Sequence, residues 1–141
     1  MNIKQASPEL FKDITAIDTK RKVFAPVLTI NTRGQKNYLS INESMADLMK
    51  LKEMSTLTFY TGEDKALMVM NAESVMAIRP KQRQREDAPI SYEITSTNLC
   101  LQILKAFDLP SSTLARFEIE YEGVWNGADV WNIYFKTDLG K

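Results

Sequence analysis

The sequence predicts an α+β fold, mainly antiparallel β with two or three short helices, and three observations carry that prediction. Phe117, Ile119 and Tyr121 alternate with Arg116, Glu118, Glu120 and Glu122, the period-2 pattern of a half-buried strand. Short segments rich in β-branched and aromatic residues recur along the chain between turn residues. Helical spacing appears only in brief stretches, each with a capping residue in front.

The elements follow in order. Ser7, Pro8 and Glu9 have the form of an N-cap, a first-turn proline and a first-turn acid, and Leu10, Ile14 and Ile17 form one apolar stripe, which predicts a helix over 8–17. Residues 26–30 read as a strand, Arg33-Gly34 as a turn and 38–41 as the returning strand of a hairpin. Asn42 or Ser44 can cap a helix carrying Met45, Leu48 and Met49, and 57–60 then reads as a strand. The apolar runs 66–70 and 74–78 can pair with it. Residues 79–89 contain two prolines and no large apolar side chain, the composition of an exposed connector. Beyond it, 90–95 is a strand and Thr97 or Asn98 caps a helix with Leu101, Leu104 and Phe107 on its apolar face. Strands around 116–122 and 130–136 close the chain, joined by a turn at 123–127.

This order divides the chain into an N-terminal helix with a basic segment (1–22), a first β-rich lobe (23–78), the basic connector (79–89), a second β-rich lobe (90–136) and a tail (137–141). The two lobes share the succession strand, capped helix, leucine-containing loop, strand, turn, strand, which predicts that they are related copies of one unit. A length of 141 residues accommodates one core or two small fused lobes.

Composition narrows the chemistry. No stretch approaches the roughly 20 apolar residues of a membrane span, and the first residues lack the apolar region of a secretory signal, so the expected location is the cytoplasm with no membrane contact. The chain has no histidine, which removes the commonest proton-transfer group and metal ligand, and its five glycines form no phosphate-cradling motif. No cofactor, no metal and no catalytic residue is expected. Cys100, the single cysteine, lies between Leu99 and Leu101 and reads as a buried structural residue. Glu118, Glu120 and Glu122 read as a solvated strand face that discourages edge-to-edge pairing, and the methionines at 45, 49, 54, 68, 70 and 76 as core filling. Trp125, Trp131, Tyr121 and Tyr134 offer either packing or a contact surface for bases or a protein.

Lysine plus arginine and aspartate plus glutamate both number 18, so any phosphate-binding surface must be local. Lys20, Arg21, Lys22, Arg33 and Lys36 flank the first hairpin and are the candidate nucleic-acid contacts, with further charges at Arg79, Lys81, Arg83 and Arg85.

Over 27–70 the chain resembles the AbrB/MazE/SpoVT swapped-hairpin family: a strand, a turn with Gly34, a strand ending at Ile41, a short helix ending in Leu48-Met49-Lys50-Leu51-Lys52 and the strand Leu57-Thr58-Phe59-Tyr60. The resemblance implies interleaved hairpins in one barrel, a degenerate second copy over 90–136, and a DNA-binding regulator. Ile41-Asn42 stands where the family commonly has Ile-Pro, and Met54-Ser55 where it commonly has Gly-Asp. The alternative is a protein–protein assembly or structural accessory module, such as a phage component, that binds a protein partner or its own copies without touching nucleic acid.

Overall fold

Strands form where apolar and polar residues alternate or where β-branched and aromatic residues cluster, and the computed structural model, which describes residues 4–16, 25–84 and 89–138, joins eight of them into one antiparallel sheet. β1 (Leu28–Asn31) and β2 (Tyr38–Ile41) form the expected hairpin, with Leu28 opposite Ile41 and Ile30 opposite Leu39, all four buried. α1 (Glu43–Met49) follows because Asn42 caps it: the Asn42 side-chain oxygen accepts the Met45 amide hydrogen at 3.0 Å, and Lys50, at φ 59°, ends the helix in the left-handed region. β3 (Leu57–Gly62) and β4 (Lys65–Met70) form a second hairpin, and β5 (Lys81–Arg83) and β6 (Ser91–Thr95) pair next. α2 (Thr97–Ala106) is capped by Ser96, whose hydroxyl accepts the Leu99 amide hydrogen at 3.2 Å, so Thr97 lies inside the helix and is not its cap. β7 (Leu114–Trp125) and β8 (Ala128–Asp138) complete the chain.

The sheet order is β3-β4-β8-β7-β1-β2-β6-β5. Strands from either side of residues 79–89 therefore alternate in pairs across one sheet, and β5 itself lies within the segment whose composition reads as a connector. The sheet is curled. α2 packs on β2 as well as on β3 and β4, strands well separated in the order, and Leu57 at the start of β3 exchanges backbone hydrogen bonds of 2.7 and 2.8 Å with Ile78, shortly before β5. Cys100, Ile103 and Leu104 of α2 fill the concave side with Phe117, Met68 and Ile133 from the strands. Met45, Met49, Met68 and Met70 are core residues, whereas Met54 and Met76 are exposed. No helix among the described residues is long and apolar enough to cross a membrane.

The N-terminal element is shorter than its sequence pattern. Only Pro8–Phe11 turns, as a 3-10 helix, although Ser7 does accept the Glu9 amide hydrogen at 3.3 Å. Its apolar residues Leu10, Phe11 and Ile14 are 66%, 63% and 62% exposed. A helix this short needs its apolar face packed against something to persist, and no residue of that face is buried among the described residues. Ile17, the last residue of the expected stripe, is outside the described residues.

Candidate functional site

Of the five expected nucleic-acid contacts, Lys20, Arg21 and Lys22 lie outside the described residues; Arg33 and Lys36 stand in the β1–β2 turn. That turn is tethered. The Thr32 hydroxyl donates to the Ser111 carbonyl at 2.7 Å and accepts the Thr113 amide hydrogen at 2.8 Å, and the Asn31 side chain accepts the Arg33 amide hydrogen at 3.0 Å. Lys36 enters a polar groove of about 630 Å³ with Gln35, Tyr38, Arg83, Gln84 and Glu93. Arg33 does not line it. Arg83 reaches the groove because β5 pairs antiparallel with β6, and its guanidinium bonds Glu93 at 3.1 Å. Both ends of that ion pair are partly solvated, so the pair orients Arg83 more than it stabilises the fold. The groove thus joins cations from both sides of α1, with one carboxylate between them.

A second surface lies on the convex side of the sheet. Outward positions of paired strands face the same way, so Tyr60 pairs with Leu67 across β3 and β4, and Val69 pairs with Val130 across β4 and β8. β7 and β8 bring a tip to the same place. A bulge at Glu122, next to Gly123 at φ 113°, shifts the register of β7, and the Asn126-Gly127 turn, with φ of 51° and 79°, reverses the chain in the two-residue form that asparagine and glycine favour. The reversal is confined to the last two residues of the turn expected over 123–127, so Val124 and Trp125 belong to the strand. Together Tyr60, Leu67, Val69, Val124, Trp125 and Val130 line an apolar groove of about 400 Å³ with Glu122 at its edge. Tyr60, Val124 and Trp125 are 43%, 66% and 56% exposed.

Sequence reasoning singled out Trp125 but missed its neighbours, which come from strands adjacent only through the β4–β8 pairing. The available signal was that Leu67, Val69 and Val130 are apolar at strand positions whose alternate neighbours, Met68 and Trp131, already face the core.

Next to this groove the carboxylates of β7 are hydrogen-bonded. Glu118 forms an ion pair with Lys136 at 2.8 Å, and Glu122 accepts from the Asn132 amide at 3.4 Å. Glu120 accepts from the Tyr134 hydroxyl, which raises that phenol above its usual pKa, as Asp129 does for Tyr121 through a 2.8 Å hydrogen bond. Among the described residues, no group of three or more histidine, cysteine, aspartate or glutamate side chains is placed to hold a metal ion. Trp131 is a core residue in ring contact with Tyr121 at 4.9 Å. Cys100 is fully buried, and burial pushes its thiol up to about 11, so the thiolate needed for nucleophilic chemistry is scarce near neutral pH.

No family model, curated protein or solved structure matches the chain.

Proposed function

We propose that this protein is a non-enzymatic binding module that holds a protein partner in the apolar groove on the convex face of its sheet. The observation that carries this reading is contiguity. Single exposed apolar residues are ordinary on protein surfaces, but here Trp125 and Val124 stand beside Tyr60, Leu67 and Val130 around one concave site, an aromatic anchor among apolar walls. The scaffold is read as two related β-α-β-β units, β2-α1-β3-β4 and β6-α2-β7-β8, whose strands interleave. Selection of a random-peptide display library against the wild-type chain, with counter-selection on Trp125→Ser, tests the site. Peptides with an apolar consensus should lose at least tenfold in affinity for Trp125→Ser. Enrichment that ignores Trp125 would remove the reading.

One observation favours a second function, DNA binding by a regulator of the swapped-hairpin kind: Lys36 and Arg83 converge on the polar groove beside Tyr38. Lys20, Arg21, Lys22, Arg33 and Lys36 are its phosphate contacts, and the interleaved strand order supports it. Affinity for mixed-sequence duplex DNA should then fall with salt by roughly −0.9 log units per log unit for each neutralised phosphate, and Arg33→Ala with Lys36→Ala should flatten the slope by up to about two units. No binding at low salt would eliminate this function.

A further inference from the structure

An asparagine side chain holds an electrophilic carbonyl carbon, Cγ, within reach of the nitrogen of the following residue, which makes asparagine one of the thermally labile residue types. Attack is hindered when that following residue carries a Cβ, and when either group is already hydrogen-bonded. Asn126 is the one asparagine of the chain that precedes a glycine. Both residues are exposed at the tip of the β7–β8 hairpin, the Gly127 amide meets no backbone acceptor among the described residues, and the Asn126 side chain makes no hydrogen bond to them. The other described asparagines are held. Asn31 and Asn37 donate to the hydroxyls of Tyr38 and Thr97, Asn42 caps α1, Asn71 accepts the Thr56 amide hydrogen, and Asn132 donates to Glu122 and Tyr134. Asn98 lies in α2, where the next amide, that of Leu99, is bonded to the Ser96 hydroxyl. The hairpin tip is also easily opened. β1 runs beside β7 only over Leu114–Phe117, and β4 beside β8 only over Asp129–Ile133, so Trp125 and Ala128, which frame the turn, have no further strand beside them. Such ends open locally at low free energy.

We infer that Asn126 is a covalent modification site, a position of spontaneous deamidation that converts with time to aspartate and isoaspartate. In the first step the Gly127 nitrogen loses its proton and bonds to Cγ of Asn126, the side-chain nitrogen leaves as ammonia, and a cyclic succinimide remains. Water then opens the ring. Addition at the side-chain carbonyl gives aspartate, and addition at the main-chain carbonyl gives isoaspartate, whose backbone runs through Cβ and Cγ. The balance is asparagine plus water to acid plus ammonia, with no change of oxidation state and no other reactant. Isoaspartate is the product that changes the structure. The turn joins Trp125 to Ala128 through two residues at φ of 51° and 79°, and a main chain lengthened by a carbon does not fit that turn. Val124 and Trp125 then lose their register with Asp129 and Ala128, which loosens one wall of the apolar groove. The chemistry is independent of what that groove binds.

The test is ageing of the full folded chain in mildly alkaline buffer, which favours loss of the Gly127 amide proton, beside Asn126→Gly, which keeps a residue free to take positive φ but has no amide to lose. Peptide mapping by mass spectrometry locates each new acid, enzymatic methylation of isoaspartate measures that product, and amide hydrogen exchange follows the hairpin. Wild type should form acid at 126 at least about tenfold faster than at any other asparagine, with isoaspartate among the products. The aged fraction should exchange faster over 124–129 and unchanged over 28–41, and Asn126→Gly should age without either effect. Folded wild type that keeps Asn126 intact overturns the inference, and loss of Asn126 in urea alone would show that the turn protects the pair. Acid that appears first at another asparagine also overturns it, as does isoaspartate at 126 with exchange at the tip unchanged.

Discussion

Phe117→Ala is expected to remove about 3–5 kcal/mol of folding stability, the cost of emptying a fully buried aromatic site. Phe117 has no solvent exposure, and its ring meets Phe107 after α2 at 5.4 Å and Phe135 of β8 at 5.8 Å. Its backbone position lies opposite Leu28 of β1 on one side and Phe135 on the other. It therefore joins the two parts of the sheet that the interleaving brings together. Against a total stability of about 5–15 kcal/mol, such a loss leaves the domain marginal or unfolded. Phe117→Leu, which keeps most of the volume, should cost much less. Urea unfolding of the three proteins checks the expectation. A Phe117→Ala protein within about 1 kcal/mol of wild type would mean that this ring is not the centre of the core.

Much of the fold was legible because its local signals are strong. The alternation at 116–122 sets one face of β7 against the core, and Asn42 stands at the start of α1 as its side-chain chemistry requires. The partners of those strands were not legible. Nothing local in Val69 or Val130 says that they pair, and nothing in residues 79–89, polar and proline-bounded, says that Lys81–Arg83 extends a sheet by pairing with β6. The same blindness hid the apolar groove, whose walls come from strands separated in sequence and adjacent only in space. The N-terminal helix errs in the other direction. Its cap and stripe are in the sequence, but a local pattern cannot supply the surface on which the stripe must pack, so only Pro8–Phe11 turns.

Asn42→Ala is expected to cost roughly 2–3 kcal/mol, more than the loss of an ordinary helix cap, because this side chain makes three hydrogen bonds. Its oxygen accepts the amide hydrogens of Met45 and Val27, both at 3.0 Å, and its nitrogen donates to the Ala25 carbonyl at 2.8 Å. The first bond starts α1; the others hold the entry to β1 beside it. The position is the one where the swapped-hairpin family commonly has proline after isoleucine, and a proline ring could replace neither the cap acceptor nor the donor. Asn42→Asp separates the contributions, since a carboxylate keeps both acceptor roles, suits the positive end of the helix dipole, and loses only the bond to Ala25. It should therefore retain more stability than Asn42→Ala, with a deficit of about 1 kcal/mol or less relative to wild type. Urea midpoints of the three proteins measure the order. Equal losses in both variants would show that the donor to Ala25, and not the cap, carries the effect, while no loss in either would remove Asn42 from the residues that place the first hairpin.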